Sequence, residues 1–179
     1  MPQTKPEINK NDFVHVDVYI KGMLRVMSEP EEMPMFNGYF QENRNLAEVL
    51  GKSKLPEEVL AFMEEMNSKL DQIIGLLEHN RMEAGFPIDI EVFNLSAAEL
   101  LFASDARLSP GQVVEVVLPL TQMPLTIAGG IGKLEPFTHP QRGSAWKLSF
   151  TRIREEDMES IVQFAFQQER KRIREVRWD

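Results

Sequence analysis

The chain has 179 residues, with 28 acidic and 20 basic side chains, a formal net charge of −8 at pH 7 and no cysteine. Without cysteine it can form no disulfide, zinc finger, iron–sulfur cluster or thiol nucleophile. The acidic excess argues against a general nucleic-acid-binding protein, because such proteins neutralise phosphates. With 42% hydrophobic residues and no apolar run of about 18 residues, we expect one cytoplasmic domain with a core and no membrane span.

The first 27 residues are predicted to form a polar arm followed by strand structure. Residues 1–12 are polar and contain two prolines, which is typical of a loose arm. From Val14 to Ile20 apolar and polar residues alternate, which is the pattern of a half-buried strand. Gly22 leaves two alternatives, a bulge within one strand or the start of a second strand. Residues 13–27 are therefore assigned to one or two strands.

Residues 36–83 are predicted to be helical, weakly over 36–53 and strongly over 56–83. Pro56 suits a first helical turn, and the two glutamates after it favour the positive end of the helix dipole. In the stronger helix six apolar residues alternate in spacing between four and three positions, which is the heptad pattern of a coiled-coil seam. The seam residues are Val59, Met63, Met66, Leu70, Ile73 and Leu77.

Two interpretations of the seam are open, because an amphipathic helix can pack on its own domain or associate with a second copy. Charged residues flank the seam at Glu64, Glu65 and Lys69, as in self-associating helices. Burying a large apolar side chain stabilises by about 1.5–3 kcal/mol, so six of them provide a large driving force. We therefore predict a homo-oligomer, although methionine at two seam positions leaves the number of chains undetermined.

The second half of the chain is predicted to consist of short strands and a final helix. Strand patterns are found over residues 88–93, 100–102, 113–118, 125–134 and 146–150. Short strands with turn signals between them are typical of a small antiparallel barrel or sandwich. Residues 155–177 begin with three acidic residues and end in a basic stretch, as the dipole of a C-terminal helix favours.

The segment from Ile90 to Phe102 resembles the core of a PilZ domain. That family carries an Asp/Asn-x-Ser-x-x-Gly motif between two strands. Asn94 and Ser96 match the motif, and Glu99 stands at its glycine position. The turn at 108–111 and the later strands and helix follow in the family's order. The resemblance implies an α+β fold, a small antiparallel PilZ-like β-barrel with an inserted helical segment (the long heptad helix) and a C-terminal helix.

Applied along the chain, the resemblance makes residues 13–27 the first barrel strand or strands and residues 36–83 a helical insertion. Residues 88–154 are then the remainder of the barrel, and 155–177 the C-terminal helix. Helical insertions that drive oligomerisation occur in degenerate members of the family. The resemblance therefore supports self-association through the helix over 56–83.

PilZ domains typically bind cyclic di-GMP, a bacterial second messenger, through this motif and an Arg-x-x-x-Arg pair before the first strand. Here Asn11 and His15 occupy the arginine positions, and neither forms the guanidinium fork that matches phosphate oxygens. The resemblance implies a cytoplasmic signalling adaptor that acts through oligomerisation and protein partners and binds cyclic di-GMP weakly or not at all.

The alternative is a true cyclic di-GMP receptor with a modified binding site. Its ligand-binding residues would be Asn94, Ser96 and His15, with Lys5 and Lys10 in place of the arginines. No spacing of histidine and acidic residues resembles a metal site, and no motif nominates a catalytic group. We therefore predict no enzymatic activity and no resident metal or cofactor, with cyclic di-GMP as the one ligand to be tested.

Overall fold

The computed structural model describes residues 13–38, 55–122 and 125–176. Among these residues, six antiparallel strands form a closed barrel in the order β1-β2-β3-β6-β5-β4, and two helices lie outside the strands. The elements are β1 (Val16–Val26), α1 (Glu57–Gly85), β2 (Ile88–Leu95), β3 (Glu99–Ala103), β4 (Val113–Gln122), β5 (Leu125–His139), β6 (Gly143–Ile153) and α2 (Glu155–Val176). The predicted α+β barrel with an inserted helix and a C-terminal helix is confirmed.

The barrel core is built from the inward-facing residues of all six strands, together with one face of α2. Val92, Phe102 and Leu148 are fully buried in it. Helix α2 adds Ile161 and Phe164 to the same cluster. The alternation of buried and exposed residues along β2 and β3 is the pattern that the sequence shows for half-buried strands.

Strand β1 is a single strand that passes through Gly22. A Cβ atom at this glycine would lie 2.8 Å from the Leu118 Cδ2 atom and 3.1 Å from the Val117 carbonyl oxygen, so the close approach of β4 requires a glycine. The irregularity in the pairing of β1 with β2 lies between Asp17 and Ile20. Of the two alternatives at Gly22, neither a bulge at that residue nor a second strand is observed.

The helical insertion differs from the prediction at its start. Residues 36–38 are irregular, which corrects the predicted helix there, and 39–54 lie outside the described residues. The long helix begins at Glu57, because Pro56 has an extended ψ of 143° and stands just before the first turn. The helix runs on to Gly85, and the Phe86 N–H closes its last turn by donating to the Met82 carbonyl at 2.7 Å.

Residues 28–38, which we call the strap, are held on the barrel by the buried carboxylate of Glu115 in β4. This carboxylate accepts hydrogen bonds from Arg25 Nε at 2.6 Å, from the Met35 N–H at 3.0 Å and from the Phe36 N–H at 2.8 Å. Glu115 is 1% exposed. The backbone N–H groups of Met35 and Phe36 are thus bound to a side chain of β4, which fixes this irregular segment against the barrel.

The Arg25 guanidinium links the strap to the barrel a second time, through Glu32 Oε1 at 2.6 Å. Burial lowers the pKa of Arg25, but the hydrogen bonds to Glu32 and Glu115 outweigh it and hold the pKa above its usual value. The same hydrogen bond lowers the pKa of Glu32. Arg25 and Glu32 are therefore both charged at neutral pH. The intramolecular ion pair between them attaches the strap to β1.

The far end of the strap is fixed by Phe36. Its ring lies against Gly129 in β5, and the guanidinium of Arg154 lies 5.6 Å from the ring centroid. Arg154 in turn donates to the Asp157 carboxylate at 2.6 Å. Burial raises the pKa of Asp157, and the ion pair with Arg154 opposes this shift. The strap is thus packed between β5 and the start of α2.

Strands β5 and β6 approach each other closely at Gly132. A Cβ atom there would lie 2.6 Å from the Ser149 carbonyl oxygen and against the Leu148 side chain. Because the oxygen belongs to the backbone of β6, we expect Gly132→Ala to destabilise the fold by about 1–3 kcal/mol. The control is Gly75→Ala in the helix α1. Its new methyl group would lie 3.7 Å from Leu125, an ordinary contact, and alanine favours a helix, so no loss of stability is expected. Thermal unfolding measures both, and an unchanged melting temperature for Gly132→Ala would contradict the register of β5 and β6.

Candidate functional site

The most prominent surface feature is the apolar face of α1. All six residues of the predicted seam are exposed, from 39% for Met63 to 63% for Leu77. Phe62 and Leu76 beside the seam are 62% and 68% exposed. Most large apolar side chains of the barrel are buried, with Tyr19 and Val26 of β1 as exposed exceptions, and of the described elements only α1 exposes so many of them. A contiguous exposed apolar patch of this kind marks an interaction surface.

Helix α1 is attached to the barrel by its C-terminal end. Met82 and Phe86 are buried in a small cluster with Met23, Val117 and other residues of β1, β4 and β5. The helix has 29 residues, which corresponds to about 43 Å. Most of its length therefore extends beyond the residues that anchor it.

The seam faces away from the barrel. Between α1, the barrel and α2 lies an open groove of about 1000 Å³. The residues of α1 that line it are Asp71, Gln72, Gly75, Leu76 and Met82. At 3.6 residues per turn all of them except Leu76, which lies at the edge of the seam, are on the face of the helix opposite the seam. The described residues of the chain therefore do not cover the seam, and packing on the chain's own domain is not what the structure shows.

Helix α2 carries a second, smaller exposed surface at its C-terminal end. Phe166 and Ile173 are 51% and 49% exposed. Exposed basic side chains surround them at Arg170, Lys171, Arg172 and Arg174. Neither α1 nor α2 is apolar enough over its length to cross a bilayer.

Two of the three predicted ligand-binding residues lie together at one end of the barrel. His15 Nδ1 is 3.2 Å from Asn94 Oδ1, and Asn94 Nδ2 donates to Asp17 Oδ1 at 3.0 Å. All three side chains are at the surface, and Asp17 and Asn94 are opposite each other on β1 and β2. The carboxylate of Asp17 gives this surface a negative charge, which repels phosphate groups.

Ser96 is placed differently, because it is fully buried in the turn between β2 and β3. Its hydroxyl accepts hydrogen bonds from the backbone N–H groups of Ala98 at 3.3 Å and Glu99 at 3.1 Å, and it lies 3.1 Å from the Glu99 carbonyl oxygen, to which it donates. These contacts close the turn. Glu99 stands at the motif's glycine position. Its φ is not positive, so the backbone there does not require a glycine.

One basic residue that the sequence did not indicate contacts Phe93, the residue that precedes Asn94 in β2. The guanidinium of Arg142, in the turn between β5 and β6, lies 5.1 Å from the ring centroid of Phe93, next to Asn94 in the chain. His139 contacts the same ring edge-on. No motif spacing identifies Arg142, because only the length of the β5–β6 hairpin carries it to β2. Lys5, Lys10 and Asn11 lie outside the described residues.

Other chemistry is not indicated among the residues that the structure describes. Within residues 13–38, 55–122 and 125–176, no group of three or more histidine and acidic side chains is placed to hold a metal ion. Lys147 pairs with Glu135 at 3.0 Å, and this contact raises the pKa of Lys147. The candidate functional surfaces are therefore the apolar face of α1, the smaller surface at the end of α2 and the His15–Asn94 surface.

Comparisons with known proteins give the fold its class. No family model matches the sequence, and no curated protein is similar to it. A solved structure from Xanthomonas campestris, described as a tetrameric PilZ domain self-assembled via an unusual helical bundle, has a TM-score of 0.52 and 17% identity and covers 90% of this chain and 91% of that one. The chain therefore has the PilZ-domain fold, as the resemblance of residues 90–102 implied.

A second solved structure is the Bacillus subtilis inhibitor of motility, MotI/DgrA. It has a TM-score of 0.49 and 11% identity, and the alignment covers 92% of this chain. This chain spans only about half of that protein, 53% of its length.

Proposed function

We propose that the protein is a cytoplasmic, non-enzymatic PilZ-like signalling adaptor that acts as a homo-oligomer and through protein partners. The observation that carries this proposal is the exposed apolar face of α1, which points away from the chain's own barrel. The Xanthomonas campestris protein with the same fold assembles through a helical bundle, which supports the same role for α1 here.

The size of the apolar face supports association between chains. Nine large apolar side chains of α1 are exposed by 36–68%. Together they represent on the order of 800 Å² per chain, which is the area that a stable interface buries on each partner. At about 25 cal/mol per Å² such an area contributes on the order of 20 kcal/mol per chain, which exceeds the cost of association of about 4–15 kcal/mol. A second copy of the chain supplies a matching apolar face without any further protein.

The ligand surface supports weak or absent cyclic di-GMP binding. His15 replaces a family arginine and contacts Asn94, whose amide donates to Asp17. A dinucleotide with two phosphates would therefore meet a carboxylate where the family provides guanidinium groups. Ser96 is buried and engaged in its turn, so ligand contacts through its hydroxyl would require the turn to open.

The position of Arg142 favours the alternative, a cyclic di-GMP receptor with a modified site. Its guanidinium lies over the ring of Phe93, the residue that precedes Asn94 in the chain. In this alternative Arg142 would supply the positive charge that Lys5 and Lys10 were predicted to give, and Asn94 and His15 would contact the ligand.

Titration calorimetry with cyclic di-GMP distinguishes the two functions. We expect no measurable heat at tens of micromolar protein, because the fork-forming arginines are absent before β1. Submicromolar binding that is lost in Asn94→Ala and in Arg142→Ala would establish a cyclic di-GMP receptor. It would contradict the proposal that the adaptor binds cyclic di-GMP weakly or not at all. Gln167→Ala on α2 is the control, since it removes an exposed amide side chain that belongs neither to the ligand site nor to the seam.

A further inference from the structure

We propose that the α1 helices of two copies pack antiparallel, in a register centred on residue 68. This inference rests on the proposed self-association and adds the orientation of the chains. In this register each seam residue of one chain contacts a seam residue of the other, which gives three different pairs. The pairs are Val59 with the partner's Leu77, Met63 with the partner's Ile73, and Met66 with the partner's Leu70.

The seam alone is compatible with either orientation, and the residues beside it distinguish the two. On each side of a seam, flanking residues of one helix meet flanking residues of the other. In the antiparallel register Phe62 meets the partner's Leu76, and Leu60 meets the partner's Ile74. Phe62 and Leu76 are among the most exposed apolar side chains of the chain, at 62% and 68%. Antiparallel packing therefore covers the apolar residues that most need a partner.

A parallel pair would place the same residues against polar groups. Flanking residues five positions apart then meet, so Phe62 would lie beside the partner's Asn67 and Ile74 beside the partner's Lys69. Parallel packing keeps one apolar pair, Leu55 with the partner's Leu60. The polar flanking residues meet each other only in the antiparallel arrangement, where Asn67 lies beside the partner's Asn67.

The Lys69 side chains of the two copies also meet in the antiparallel register. Their mutual repulsion is reduced because each lysine is paired with a glutamate of its own chain. Lys69 Nζ forms an ion pair with Glu65 Oε1 at 2.6 Å, one helical turn away. Like charges on neighbouring helix positions cost a few tenths of a kcal/mol. This cost is small beside the burial of Phe62 and Leu76.

The charge along α1 favours the same orientation. Its first nine residues contain four glutamates and no basic residue, whereas residues 66–77 contain one lysine and one aspartate. A parallel pair brings two acidic segments to the same end of the assembly. In the register centred on residue 68 each acidic segment, 57–65, lies beside residues 71–79 of the partner, which contain two acidic residues instead of four, and the two helix dipoles are opposed.

Disulfide trapping tests the orientation directly, because the chain has no cysteine of its own. Two single variants are prepared, Val59→Cys and Leu77→Cys, and each is oxidised alone and after mixing with the other. The two positions are about 27 Å apart along one helix. We expect the mixture to give at least about tenfold more linked dimer than either variant alone, because cysteines whose Cα atoms are more than about 7 Å apart cannot be bridged.

A matched control uses Ala61→Cys mixed with Gly75→Cys. These positions are at equivalent heights in the antiparallel register but on the face opposite the seam, so no link is expected. If Val59→Cys links to itself, the chains are parallel, and the orientation is wrong while the oligomer stands. If the oligomer is intact by light scattering and no combination links, the register is wrong. If light scattering gives a monomer, the proposed self-association itself fails.

Discussion

Replacing Leu70 with aspartate is expected to convert the proposed oligomer into a monomer of 20.6 kDa. Leu70 lies in the middle of the seam and is 51% exposed in the single chain. Association would bury the new carboxylate among apolar side chains, which costs several kcal/mol unless the charge is paired. The nearest basic group of the seam, Lys69, already pairs with Glu65.

Light scattering coupled to size exclusion, at concentrations from micromolar to hundreds of micromolar, measures this loss. Ile73→Asp is a second seam variant and should act in the same way. Ala61→Asp is the matched control, because Ala61 is an exposed residue of the same helix on the face opposite the seam. A wild-type chain that stays at 20.6 kDa throughout, or a Leu70→Asp chain that keeps the wild-type mass, would contradict the proposed oligomer.

The strands and the long helix could be predicted because their signals are local. Alternation from Val14 to Ile20 and the 4–3 spacing from Val59 to Leu77 are each contained within one element. Several short strands separated by turns also leave few possible folds, chiefly a small barrel or a sandwich. The local pattern did not determine whether the chain's own domain covers the seam, because that depends on where α1 is anchored on the barrel.

The strap could not be predicted, because it depends on contacts between distant residues. Glu115 is a single polar residue in a valine-rich strand, and its partner Arg25 is 90 positions away. Only closure of the barrel by β1 and β4 places the two opposite each other. The apolar spacing that predicted a helix from residue 36 was wrong at 36–38, where distant residues fix Phe36: its N–H donates to Glu115 and its ring lies against Gly129.

The ligand surface shows a similar division. The turn that Asn94 and Ser96 signal is present, and the local motif was sufficient to place it. The motif does not reveal that Ser96 is buried or that Asp17 accepts from Asn94, because these depend on the pairing of β1 with β2. Arg142 came from a hairpin tip almost fifty residues downstream, beyond the reach of any spacing rule.

Removing the Glu115 carboxylate is expected to destabilise the fold more than any other single charge change in the barrel. In Glu115→Ala the Arg25 guanidinium, whose side chain is 11% exposed, loses its buried partner, and the N–H groups of Met35 and Phe36 lose their acceptor. Breaking a buried ion pair by removing one partner costs about 3–5 kcal/mol. The strap should then detach from β4.

Chemical denaturation of Glu115→Ala measures this effect, and the Leu70→Asp background is the appropriate one, because the stability of an oligomer depends on its concentration. Glu29→Ala, an exposed glutamate of the same strap, is the control and should change stability by less than about 0.5 kcal/mol. Proteolysis should cut the strap faster in Glu115→Ala than in the control, because its backbone is released. Equal unfolding midpoints for the two variants would show that the carboxylate does not hold the strap, and the ion pair with Arg25 would then contribute nothing measurable to the barrel.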